Sequence, residues 1–127
     1  MKQFSDALAR SLPAAAPEAL GMLRASLPKI LPDCESVTDG WLLWPVGQWI
    51  ADHGLEYFDE SMLTMVALTK RFSSEYAVRP FVEYRPQGTF TDLVSLTKDD
   101  SAHVRRWCSE AVRPRLSWGK KLHALVC

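Results

Sequence analysis

Ser61-Met62-Leu63-Thr64-Met65-Val66-Ala67-Leu68-Thr69-Lys70-Arg71-Phe72 is the stretch whose reading decides the fold class. Met62, Met65, Val66 and Thr69 recur at i, i+3, i+4 and i+7, and Leu68 and Phe72 widen the stripe, which is the period of an α-helix that buries one side. The period returns at Phe90, Leu93, Val94 and Thr97. Before it, Pro86-Gln87-Gly88 reads as a turn and Thr89-x-x-Asp92 as a capping-box variant opening the helix. Lys98-Asp99-Asp100-Ser101 closes that helix and starts another, from Ala102 to Arg113. Val104, Trp107, Cys108 and Ala111 form its buried stripe, while His103, Arg106, Glu110 and Arg113 fall on another face, so that one carboxylate is flanked by two guanidinium groups. No β-branched run bounded by turns is present, and the expected fold is all-α.

Upstream, Pro13, Pro17, Pro28 and Pro32 leave room only for short helices, such as Glu18 to Leu27 with Leu20, Leu23 and Leu27 on one side. Trp41, Trp44 and Trp49 crowd around Gly40 and Pro45, a turn signal and a helix breaker, and most of that indole is expected to be buried. The organisation expected is an irregular helical N-terminal cap over residues 1–60 and helical repeats over 61–127.

The 127 residues suit one small domain, and 15 basic residues cancel 15 acidic ones. The cancellation is not local. Residues 1–60 carry four basic residues against nine acids, a balance of −5, whereas residues 61–127 carry eleven against six, a balance of +5. A basic half fits an anionic partner, and it fits a salt-laced helical surface as well. No apolar run is long enough for a membrane span, no leader segment is apparent, and a cytoplasmic protein is expected. Cys34, Cys108 and Cys127 are too widely spaced for a zinc site or a disulfide framework and read as thiols.

Gly-x-Gly-x-x-Gly, the phosphate-binding Gly-Lys-Ser/Thr loop and His-x-x-x-His are all missing, and His53, His103 and His123 stand alone. The better candidates for chemistry are Glu75 and Glu110, acids within the basic half and each followed within a turn by an arginine. An intrahelical ion pair worth a few tenths of a kcal/mol is the more common reason for that spacing. Ser74-Glu75-Tyr76-Ala77-Val78-Arg79-Pro80 recurs, one residue shorter, as Ser109-Glu110-Ala111-Val112-Arg113-Pro114, with the glutamates 35 positions apart. That separation is one helix-pair unit of an α-solenoid. Arg113-Pro114-Arg115-Leu116-Ser117-Trp118-Gly119-Lys120-Lys121 interleaves basic residues with an indole, a pattern suited to phosphates and a base or sugar face, or to a polar connector.

The run from His103 to Trp118, together with Thr69 to Phe81, resembles the signature of the AlkC branch of bacterial DNA alkylation repair glycosylases, over about Ser61 to Lys121. The resemblance implies an α-solenoid of HEAT-like repeats, related to the AlkD glycosylases, with a basic concave face for duplex DNA. It implies excision of cationic N-alkylated bases such as 3-methyladenine without base flipping, by a monomer associated with the bacterial nucleoid, with no metal or organic cofactor. By motif position Glu75 and Glu110 are the catalytic acids, Trp118 is an aromatic wall at the damaged nucleotide, and Arg106 belongs to the DNA surface. Arg79, Arg113, Arg115, Lys120 and Lys121 are phosphate-contact candidates from charge and location. Ser117 departs from the proline usual before that tryptophan. Family members continue for further repeats that supply another acid, whereas this chain stops within the apolar run Leu122 to Cys127, so a truncated N-terminal portion with impaired activity is expected. A non-catalytic helical-repeat DNA-binding module is the alternative, and an unrelated protein-interaction repeat is a third.

Overall fold

Seven α-helices and no strand occur among the described residues of the computed structural model, which are 2–12, 16–29, 43–72 and 74–113. In chain order they are α1 (Lys2–Ser11), α2 (Ala16–Ala25), α3 (Trp44–His53), α4 (Phe58–Thr69), α5 (Glu75–Tyr84), α6 (Pro86–Leu96) and α7 (Ala102–Glu110). The most extensive packing joins alternate helices, α1 to α3, α2 to α4 and α3 to α5. That is the arrangement of stacked helix pairs over α1 to α5, after which α6 packs between α5 and α7, and α7 also meets α4. The expected all-helical repeat fold is therefore present.

The stripes read from the sequence in α4 and α7 are largely buried, whereas that of α6 is not: Leu93 is enclosed, but Val94 is 67% exposed and Thr97 lies exposed just past the helix end. Met62, Met65, Leu68, Thr69 and Phe72 line the inner side of α4 and its end, and Val104, Trp107, Cys108 and Ala111 do so for α7. They join one core cluster that also holds Leu20, Leu23, Ile50 and Phe81, so the apolar interior runs unbroken from α2 to α7. Each large side chain so enclosed contributes about 1.5–3 kcal/mol through removal from water. Arg24 fastens α2 to α4, with Nη1 2.9 Å from the Glu60 carboxylate and donating to Thr64 Oγ1 at 3.0 Å.

Prolines start helices here more often than the sequence reading allows. Pro45 lies in the first turn of α3 and Pro17 in that of α2. Pro86 opens α6 directly, so the expected turn at residues 86–88 is helix and the true break is Arg85. The reason is that a first-turn N–H has no partner inside its helix, so proline loses nothing there and its ring presets the backbone angle. Thr89 correspondingly caps nothing. It is buried inside α6 and its hydroxyl donates to the Phe81 carbonyl at 3.0 Å.

Two tryptophans of the expected cluster are described, and Trp41 lies outside the described residues. Trp49 is buried. Trp44 stacks face to face on Tyr76, with centroids 4.4 Å apart and planes 5° from parallel, while the Tyr76 hydroxyl donates to the Trp44 carbonyl at 2.8 Å. Burial first, and the neighbouring Glu75 charge second, keep the phenol proton well above its ordinary titration range, so Tyr76 is a permanent donor. The phenol end rests against α3 at Gly47, where a Cβ would collide with the hydroxyl. Close approach of an aromatic ring to the helix backbone is what requires glycine here.

Arg79 corrects an expectation. Placed by the sequence reading among phosphate contacts, it is fully buried and donates from Nη1 to the Ala111 carbonyl at 3.1 Å. A guanidinium enclosed between α5 and the end of α7 is a strut of the core and does not reach a phosphate on the surface. Burial lowers its hold on its proton and the Glu83 charge opposes that, yet arginine stays charged at any physiological pH.

Two measurements check this packing. Gly47→Ala is expected to destabilise the fold by about 1–3 kcal/mol through overpacking against Tyr76, read as a lower thermal midpoint by circular dichroism. Arg79→Met is expected to cost about 1–3 kcal/mol because the Ala111 carbonyl loses its partner. Arg113→Gln, on the exposed surface, is expected to cost less than about 0.5 kcal/mol. Equal small effects of the two arginine substitutions would place Arg79 back on the surface.

Candidate active site

The turn between α4 and α5 sets the first of the two acids. The Ser74 hydroxyl donates to the Met65 carbonyl at 3.0 Å, and Thr69 Oγ1, 2.9 Å from Ser74, donates to the same carbonyl at 2.7 Å. All three residues are buried, so α5 begins at a fixed point against the end of α4. Glu75 is its first residue. There the carboxylate lies in the first turn, beside helix N–H groups that have no intrahelical acceptor and favour a negative charge.

Glu75 is only 6% exposed. Its Oε1 is 3.0 Å from Nη2 of Arg106 on α7, whose side chain is 49% exposed. The arginine thus covers a nearly buried carboxylate with one edge of its guanidinium and keeps the remainder in water. The pair is asymmetric: removing the arginine takes a counter-charge from the enclosed acid, which is the costly direction, whereas removing the acid leaves an arginine that water already solvates.

Glu110 ends α7 and is half-buried, with its Oε1 3.0 Å from Nη2 of the exposed Arg113. The expectation that Arg106 and Arg113 both flank Glu110 is therefore corrected, because Arg106 reaches across to Glu75 instead. The cause is tertiary. Residue 75 of α5 meets residue 106 of α7, and residue 79 meets residue 111, in the same order along both helices. Where they meet, α5 and α7 therefore run in the same sense, and Glu110 lies about 6 Å further along α7 than Arg106, from a rise of 1.5 Å per residue.

That register also corrects the internal repeat. Ser74-Glu75 precedes and opens α5, whereas Ser109-Glu110 closes α7, so the two similar segments occupy opposite helix ends. His103, to which the sequence reading assigns no role, is buried three residues before Arg106 on α7. The spacing of three was legible, but not its burial. Cys108 is buried on the other side of α7, and burial together with the Asp99 charge pushes its thiol up to about 11, so it is not a thiolate nucleophile at neutral pH. Among the described residues no group of three His, Cys, Asp or Glu is placed to hold a metal ion, and no helix is long and apolar enough to cross a membrane. Arg115, Trp118, Lys120 and Lys121, expected at the DNA, lie outside the described residues.

An enclosed acid next to a half-exposed arginine, with a second acid one turn further along the arginine's helix, is an arrangement able to stabilise a developing positive charge and to meet an anionic polymer at its rim. No family model matches the chain. Over 125 residues, 98% of its length, it is 33% identical to Uncharacterized protein YhaZ of Bacillus subtilis (strain 168). Among solved structures, its fold is similar to that of Pseudomonas fluorescens alkylpurine DNA glycosylase AlkC bound to DNA containing an abasic site analog, with a TM-score of 0.72 and 30% identity over 87% of this chain. The chain spans 33% of the first of these proteins and 29% of the second, about a third of the length of either. The fold of this chain is thus an AlkC-like helical fold.

Proposed function

We propose that this protein is a DNA N-glycosylase of base excision repair, acting on cationic N-alkylated bases such as 3-methyladenine in duplex DNA. The observation that carries this reading is Glu75, an acid enclosed at a helix start beneath Arg106, in a fold similar to a solved alkylpurine DNA glycosylase. In this reading residues 61–127 carry the chemistry and residues 1–60 form a helical cap. The protein acts as a monomer in the cytoplasm, at the nucleoid.

The chemistry follows from the substrate's charge. A cationic purine is already a good leaving group, so the N-glycosidic bond breaks with its electron pair going to the base, and no acid need protonate the purine. Positive charge then develops at C1′, where a carboxylate in a dry setting is worth most. Glu75 supplies it, and Glu110 orients and deprotonates the water that adds to C1′. Because nothing has to be transferred to the base, the nucleotide need not enter a closed pocket, and excision proceeds without flipping.

Arg106 aims Glu75 through Nη2, 3.0 Å from the carboxylate, and its exposed edge meets the DNA backbone. Arg113, Arg115, Lys120 and Lys121 contact phosphates and Trp118 faces the damaged nucleotide. Arg79 has no place in this set, since it belongs to the core.

Single-turnover base release from methylated duplex tests the reading. Glu75→Gln is expected to lower release by roughly a hundredfold or more, and Glu110→Gln to lower it in the same direction, with helicity retained. Duplex binding is expected to weaken linearly in log–log terms as salt rises. Release unchanged in both variants would remove the catalytic assignment. Salt-dependent binding with no release by the unmodified chain would favour the non-catalytic DNA-binding module.

A further inference from the structure

Between α4 and α6 lies an open cleft of about 400 Å³ lined by Asp59, Met62, Leu63 and Val66 from one helix and by Asp92 and Leu96 from the other. It shares no residue with the Glu75–Arg106 pair. Asp59 lies in the first turn of α4, ten residues and about 15 Å along the helix from the turn that leads to Glu75.

The cleft joins two features that soluble surfaces usually keep apart. Apart from Ser95 and two aspartates its walls are apolar, and Leu63 is 57% exposed to water. Two carboxylates face the same space. Asp92 holds its proton more tightly than an ordinary aspartate, through burial first and the Asp59 charge second, with Arg85 opposing. Arg85 itself lies 4.4 Å over the Phe58 ring. Both charged side chains on the cleft lining are thus negative, and a positive charge complements them.

We propose that this cleft is a docking surface for a basic amphipathic helix of a partner protein, with aliphatic residues against Met62, Leu63, Val66 and Leu96 and a lysine or arginine between Asp59 and Asp92. A long basic side chain suits the site because its stem packs on apolar wall while its head meets the carboxylates. An amphipathic helix supplies such residues at i, i+3 and i+4 and fits a groove between two helices. Nucleic acid and anionic lipid are disfavoured by the same two carboxylates. A divalent cation prefers six or more oxygens, and aliphatic walls do not offer them. The proposal is independent of the glycosylase reading.

Fluorescence anisotropy with a labelled helical peptide of leucines at helical spacing and lysines elsewhere tests it on the full chain. Saturable binding is expected, weakened roughly tenfold or more in Asp59→Asn/Asp92→Asn and in Leu63→Ser. Glu18→Gln, an exposed acid on α2, is expected to change nothing, and the same peptide with glutamates in place of lysines is expected not to bind. Far-ultraviolet circular dichroism confirms that each variant is folded. Duplex DNA binding by the double variant stays unchanged, so failure here leaves the Glu75 reading standing. Three results would overturn the proposal: no dependence on Asp59, Asp92 and Leu63; equal weakening by Glu18→Gln; or self-association of the chain abolished by Leu63→Ser, which assigns the cleft to a second copy.

Discussion

The buried guanidinium of Arg79 is the constraint on which the rest of the site depends. An arginine without solvent is tolerated only when its donors are used, and one of them is used on the Ala111 carbonyl just past the end of α7. That contact docks the C-terminal end of α7 beside α5 in one register. With the register fixed, Arg106 falls beside Glu75 and Glu110 falls one turn further on. The arginine that fixes this register is not itself on the surface.

The start of α5 is held independently of α7. Ser74, Thr69 and the Met65 carbonyl tie it to α4, and the Tyr76 ring, stacked on Trp44 and seated against Gly47, ties it to α3. Glu75 precedes Tyr76 directly, so the acid sits where α5 meets the end of α4 and the start of α3. Enclosure is what distinguishes Glu75 from the half-buried Glu110, whose partner Arg113 is an exposed neighbour on the same turn. By this contrast Glu75 is the acid with the stronger electrostatic leverage and Glu110 the one with freer access to water.

Much of the fold was legible because helix periodicity is a local property. The stripes of α4 and α7 and the break read at residues 98–101 depend on residues within a few positions of one another, and they appear where the pattern puts them, the break opening one residue earlier at Thr97. Contacts between distant positions were not legible. Nothing in the spacing of Arg79 distinguishes a core strut from a phosphate ligand, since both are an arginine on a helix in a basic half. Arg106 read as a partner of Glu110 at i+4, and only the packing of α7 on α5 turns it toward residue 75. The repeated Ser-Glu segments looked like one structural unit copied, because composition carries no information about which end of a helix a segment occupies. Pro45 and Pro86 misled for a simpler reason: a proline that stops one helix and a proline that begins another have the same local signature.

The central claim is that Glu75 faces the positive charge that develops at C1′ when the base departs. The most direct measurement compares the affinity of the protein for a duplex holding a cationic pyrrolidine in place of the deoxyribose with that for a duplex holding a neutral tetrahydrofuran at the same position. A transition-state mimic is bound more tightly when the complementary charge is preset. The account predicts at least roughly tenfold preference for the cationic duplex, lost in Glu75→Gln while affinity for the neutral duplex is kept. Equal affinity for the two duplexes, or a preference that survives Glu75→Gln, would contradict it.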